Sequence, residues 1–158
     1  MPNRPRDKGF TLIEVLVTTA LLGVMMTIAV SGWMSWAKSS AHSGTARELQ
    51  SMMRQTQQRA VTEGRAMCVL FDAAANAYTV SRAACGEHGT LVLGPVGAPS
   101  GDVKIASPVF TSTTGTSSGV TFYARGTASP GTVKVTRAGS SKTYVLTVEG
   151  LTGRVSLG

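Results

Sequence analysis

The chain has 158 residues, 42% of them hydrophobic and 15% charged, which is enough for one ordinary domain with a real core and too little for two. Fifteen basic against eight acidic residues give a net charge of +7, compatible with nucleic acid or an anionic membrane surface and proof of neither. Only two histidines, and two cysteines in no CxxC pair, argue against a metal site or a redox motif.

The first nine residues, MPNRPRDKG, are polar and basic, with Arg4, Arg6 and Lys8 set against Asp7. Residues 15–37, VLVTTALLGVMMTIAVSGWMSWA, carry no charge. As a helix they reach about 35 Å, enough for a ~30 Å hydrocarbon core. Trp33 and Trp36 lie at the far end, where amphipathic aromatics prefer a membrane interface, and Lys38 ends the run. The positive-inside rule keeps the short basic tail in the cytoplasm and sends the remainder outside. A cleaved secretory signal has an apolar stretch of only about 7–15 residues before a small-residue site. This run is too long for that and ends in two tryptophans and a lysine. A plain anchor does not account for Glu14, because a carboxylate within a membrane segment costs roughly 2.5–3.5 kcal/mol near the bilayer centre and less near an edge.

The stretch KGFTLIEVLV (8–17) resembles the class III signal of type IV prepilins and type II secretion pseudopilins. Gly9, Phe10 and Glu14 match it position by position: a short basic leader ending in Gly, then Phe, then an apolar helix with Glu as its fifth residue. The resemblance implies cleavage between Gly9 and Phe10 by a membrane prepilin peptidase, N-methylation of the new Phe10 amine, and retention of the helix. It also implies that Glu14 pairs with the Phe10 amine of a neighbouring subunit. An unpaired carboxylate penalises the lone subunit, pairing relieves it, and the axial register of assembly is thereby set.

Beyond the apolar run, Ala46, Leu49, Met52 or Met53, Thr56 and Ala60 recur at helical spacing. Arg47, Arg54, Gln58 and Arg65 fall on another, solvated face, and Gly64 supplies a stop. One helix of about 50 residues is therefore predicted from Phe10 to Glu63. After Gly64 the period becomes two. MCVLF (67–71) and AYTV (77–80) read as a hairpin, and LVL (91–93) and VKIA (103–106) as shorter strands. SPVFTSTTGTSSG (107–119) reads as a polar connection. VTFYARG (120–126), TVKVTR (132–137), KTYVLTVEG (142–150) and GRVSLG (153–158) close the chain as strands, with Val133 and Val135 inward and Lys134 outward. Eighteen glycines, concentrated in this half, mark turns between strands. Cys68 and Cys85 read either as buried thiols or as one disulfide, and a location outside the cytoplasm favours the disulfide.

The predicted fold class is α+β: a long N-terminal helix, membrane-spanning in its first half, packed on an antiparallel meander. The division is a leader (1–9), a transmembrane part (10–37), a periplasmic part of the helix (38–64) and a β-rich domain (65–158). EGR (63–65), VLF (69–71), VTFYARGTASPGTV (120–133) and GLTGRVSLG (150–158) make the second half similar to the GspH/FimT group of minor pseudopilins and minor pilins. That resemblance implies a type IV pilin-like fold and a structural subunit of a type IV pilus or type II secretion pseudopilus. Its partners would be other pilins, the prepilin peptidase and the bacterial inner membrane. No small-molecule substrate or cofactor is implied, and His42, His88 and the scattered acids Asp72, Glu87, Asp102 and Glu149 form no catalytic constellation.

Some FimT-like minor pilins bind DNA through a C-terminal Gly-Arg-x-Arg, and the resemblance carries that possibility to Gly153 and Arg154, with Ser156 standing in place of the second arginine. Arg125, Lys134, Arg137 and Lys142 lie on or beside neighbouring strands and complete a candidate patch for double-stranded DNA, bound through its phosphates. After the leader is removed, 12 basic and 7 acidic residues remain, a net +5.

Overall fold

A computed structural model describes residues 10–98, 101–112 and 115–158; the leader, including Gly9, lies outside them. Among the described residues there is one helix, α1 (Leu12–Glu63), and it begins at a cap written in the sequence. The Thr11 hydroxyl accepts the Glu14 N–H at 3.3 Å, and Glu14 sits three positions on, the Thr-x-x-Glu spacing of a capping box. Its carboxylate also lies at the positive end of the helix dipole. The helix stops at Gly64, whose φ of 65° suits glycine. There Gly64 N–H donates to Val61 O and Arg65 N–H to Ala60 O, the paired bonds of a Schellman motif.

The chain divides into two compact units between Ser39 and Ser40. The first is helix, long and apolar enough to cross a membrane, with its described side chains exposed, Phe10, Leu21, Met26 and Trp33 among them. The hydroxyls of Thr18, Thr19 and Thr27 donate to carbonyls three or four residues back. These polar groups are thus satisfied within the helix, as a hydrocarbon surrounding requires.

The second unit holds the rest of α1 and nine strands among the described residues: β1 (Met67–Asp72), β2 (Ala77–Arg82), β3 (Thr90–Gly97), β4 (Val103–Ser112), β5 (Gly115–Ser117), β6 (Gly119–Phe122), β7 (Gly131–Arg137), β8 (Tyr144–Val148) and β9 (Val155–Leu157). They form two antiparallel sheets, ordered β3-β2-β1-β6 and β5-β4-β7-β8-β9. Ala46, Leu49, Met53, Thr56 and Ala60 are the buried stripe of α1, as the spacing predicts. All but Thr56 join one core with Val69, Phe71 and Val80 of the first sheet and Ile105, Phe110, Val133, Val135 and Leu146 of the second. Phe71 stacks on Phe110 with ring centroids 5.9 Å apart, joining the two sheets.

Three expectations change. The predicted meander is two sheets, because β1 takes both β2 and β6 as neighbours and β4 takes β7. Residues 107–112 are strand, not connection. A bulge at Ser107, with φ 46°, and Pro108 shifts the β4 register between Ala106 and Val109 and hides the alternation that returns at Phe110. Residues 123–126 are a turn beyond β6, closed by Gly126 N–H to Tyr123 O at 2.9 Å. Asn76 then ties the first hairpin to the second sheet: its side-chain amide donates to Val103 O and accepts from Ile105 N–H, both at 2.8 Å, as a neighbouring strand would.

Candidate functional site

Three side chains on one face of α1 hold the end of the chain. Gln50 and Arg54 both donate to Val155 O, at 3.2 and 3.0 Å. Gln57 Nε2 donates to Gly126 O at 3.1 Å and Thr152 O at 2.8 Å. The spacing of four and three residues puts all three donors on one helical face. Gly153 makes the closure possible. Its φ is 62°, and a Cβ there would land on Gln57 Nε2 and Gly126 O. Sequence reasoning placed Arg54 on a solvated face. The residue is exposed, yet its guanidinium is engaged, and a backbone carbonyl 101 positions away leaves no trace in the pattern of side chains.

The five cationic candidates do not form one patch. Because the Gly126 and Gly153 backbones touch, Arg125 and Arg154 share one end of the domain, near the start of β7. Arg137 and Lys142 lie at the other end, beyond seven residues of β7 and so about 20 Å away. Lys134 projects midway, from the solvent face of the second sheet. There the register places it diagonally to Lys104, a residue the sequence reading did not include. Strand alternation turns Arg137 to the opposite face, with Val133 and Val135. Its Nε is buried without a hydrogen-bond partner among the described residues. The Lys142 ammonium sits 4.7 Å from the centroid of the Tyr144 ring, a cation–π contact. Glu149 N–H donates to Arg154 O, so an acid stands across the hairpin from Arg154, its carboxylate accepting from the Thr152 hydroxyl at 2.9 Å.

Cys68 and Cys85 form a disulfide, with Cα atoms 5.0 Å apart, and there is no free cysteine among the described residues. It fastens the β2–β3 connection over the outer face of the first sheet. Cys85 N–H reaches the Thr121 hydroxyl at 3.0 Å, and a Cβ on Gly119 would stand 2.8 Å from the Cys85 sulfur, so glycine leaves room for the bridge. His42 is buried. Its ring Nε2 donates to Val135 O at 3.0 Å and its edge meets Tyr144, which makes it a core residue. No group of three metal-ligating side chains occurs among the described residues. An ion pair of 2.8 Å joins Glu63, at the end of α1, to Arg82 of β2, and that hydrogen bond holds the Glu63 carboxyl below the usual carboxylate range.

At the other end of α1's sequence, Phe10 just before the helix and Glu14 in its first turn are exposed, and no other described residue covers them. What the described residues offer is an uncovered apolar helix with a carboxylate near its start and a β domain stapled by a disulfide.

Comparison with known proteins gives the family and the fold. The profile of the type II transport protein GspH matches residues 45–152, and that of the prokaryotic N-terminal methylation motif matches residues 4–30. No curated relative matches the chain. Among solved structures, the fold is similar to the type IV minor pilin FimU of Pseudomonas aeruginosa, with a TM-score of 0.56 at 18% identity over 78% of this chain and 92% of that one. It is also similar to the minor pseudopilin EpsH from the type 2 secretion system of Vibrio cholerae, with a TM-score of 0.57 at 10% identity over 74% and 94%. At these identities the structures speak to the fold.

Proposed function

Since this chain belongs to the GspH family and carries the N-terminal methylation motif, we propose that it is a minor subunit of a type IV pilus or type II secretion pseudopilus. The observation that carries this reading is the capped apolar helix beginning beside Phe10, with Glu14 in its first turn and its side chains uncovered. The chain inserts in the bacterial inner membrane with residues 38–158 in the periplasm. A prepilin peptidase removes residues 1–9 and the Phe10 amine is methylated. The subunit then leaves the bilayer side by side with other pilins. Helix-to-helix packing replaces lipid around residues 10–37, and the Phe10 amine of a neighbour neutralises Glu14. The β domain presents its surface to adjoining subunits and performs no chemistry. The disulfide suits a periplasmic domain.

The test is Gly9→Val. The chain is expected to keep its leader, to remain in the membrane fraction and to be missing from sheared filaments. Normal processing removes the assignment.

A second reading, DNA binding during uptake, is favoured by one observation: the turn around Gly126 and Gly153 sets Arg125 beside Arg154, with Arg54 on the adjoining helix face. Binding through phosphates would weaken steeply with salt and fall on Arg154→Ala. Salt-insensitive binding, or none at low salt, removes this reading and leaves the first intact.

A further inference from the structure

Three separate segments meet at the end of the second unit where α1 stops. Gln57 draws two of them together by donating to Gly126 O and Thr152 O, and a Cβ on Gly126 would lie 3.9 Å from Val61. Each segment presents an apolar side chain to solvent: Val61 of α1, Tyr123 of the β6–β7 turn and Leu151 of the β8–β9 turn. Leu151 is 91% exposed, more than any other apolar side chain described in the unit. Exposed apolar residues scattered singly are ordinary, but three brought together from distant parts of the sequence mark a surface that another molecule covers.

The charges around that surface are basic on balance but not of one sign. Arg65, Arg125 and Arg154 are exposed, and none takes part in an ion pair among the described residues. Arg54, on the adjoining helix face, is engaged with Val155 O. Glutamates lie at this end too. Glu63 is paired with Arg82 at 2.8 Å, with Arg59 close by. Glu87, in the β2–β3 connection, receives Ala84 N–H at 3.4 Å. Glu149 stands in the Leu151 turn itself, exposed, its carboxylate accepting the Thr152 hydroxyl at 2.9 Å. The leucine is therefore bordered by unpaired arginines and by the carboxylate of Glu149.

Apolar centre and mixed border together select the occupant. A nucleic acid uses the arginines through its phosphates, gains nothing from Leu151, Val61 or Tyr123, and is repelled by Glu149. A folded protein face with an apolar hollow and an acidic border answers all of them, because it can also turn a donor toward Glu149. We infer that Leu151 anchors this end of the domain in an apolar hollow on a different subunit, whose carboxylates meet Arg125 and Arg154. The inference rests on the filament reading above and names the chemistry of the partner's surface. A minor subunit is outnumbered in its fibre, so the neighbour at this end is another kind of chain. Opposite charges at the border fix the orientation of docking, while the leucine supplies the desolvated centre.

The experiment uses the full chain in the membranes of cells that assemble it, with benzoylphenylalanine, a photo-crosslinking residue, in place of Leu151. At 91% exposure the leucine supports no core, so replacements there leave the fold intact. Irradiation is expected to give one covalent product, in which the partner is a different protein bearing an N-terminal methylation motif and the joined segment carries Asp or Glu. Arg125→Gln combined with Arg154→Gln is expected to lower the yield several-fold. Leu151→Asn is expected to lower entry into sheared filaments several-fold and Leu151→Met to keep it, with the unfolding temperature unchanged in both. The proposal is overturned by a product with a second copy of this chain or with DNA, by a yield no higher than from the same residue in place of Lys134, by a yield indifferent to the arginines, or by no product. If no product forms yet the chain reaches sheared filaments, the contact is wrong and the filament reading survives. A product with that partner from a chain that never enters filaments keeps the contact and removes that reading.

Discussion

Gly153→Ala is expected to unfasten the end of the domain, and its cost follows from two separable effects. A non-glycine residue at a φ of 62° costs about 1–2 kcal/mol. The new methyl would also displace Gln57 Nε2, which donates to two carbonyls. Each such bond is worth about 0.5–1.5 kcal/mol net, so the displacement adds about 1–3 kcal/mol. Gly139 provides the control. Its φ is 71°, and nothing lies within 4 Å of a Cβ built there, so Gly139→Ala meets only the backbone effect. Denaturant unfolding of residues 40–158, the unit that contains the whole core, should then give losses of about 2–5 kcal/mol for Gly153→Ala and about 1–2 kcal/mol for Gly139→Ala. Gln57→Ala should cost less in the Gly153→Ala background than alone, because the bonds it removes are already broken. Equal losses for the two alanines, or strict additivity with Gln57→Ala, would refute the closure described for the C-terminal turn.

Glu14→Gln separates two roles for that residue, since Gln also completes a capping box but carries no charge. It is expected to insert normally and fail to enter filaments, whereas wild-type incorporation would assign Glu14 to helix capping alone. Replacing Cys68 and Cys85 by alanine together should lower the stability of the β domain by roughly 3 kcal/mol for a loop of this length, and labelling of free thiols in the wild-type protein would contradict the bridge itself. The Glu63–Arg82 pair predicts an acid-dependent contribution. Because the folded carboxyl is held below its unfolded value, the contribution is full above the usual carboxylate range and disappears as pH falls through the folded value. Unfolding temperatures of wild type and Glu63→Gln should therefore converge on acidification, and a gap that persists would show that the pair is not the cause.

Local chemistry was readable from the chain alone wherever one residue type dictates one geometry. The stripe Ala46–Leu49–Met53–Thr56–Ala60, the stop at Gly64, the inward Val133 and Val135 and the exposed Lys134 all follow from periodicity or backbone freedom. Pairing between distant segments was not readable. Nothing in MCVLF says that β1 has β6 as well as β2 beside it, since a strand buried on one face has the same alternation whether one edge is paired or two. The bulge at Ser107 and Pro108 broke the alternation of β4 and made a strand look like a loop. Arg137 was misplaced within the proposed patch because charge suggested solvent while its position in β7, in phase with Val135, turns it inward. Arg54, Gln50 and Gln57 act on main-chain carbonyls, and any residue can provide a carbonyl.

The bonds from Gln50, Arg54 and Gln57 to the final turn and strand have a mechanical meaning. A pull delivered along α1 reaches β9 through these three side chains without first traversing β1 to β8. Force arriving there would load the pairing of β9 with β8, Leu146 with Leu157 and Val148 with Val155. An edge strand, ordinarily held by one neighbour alone, is here also tied directly to the long helix.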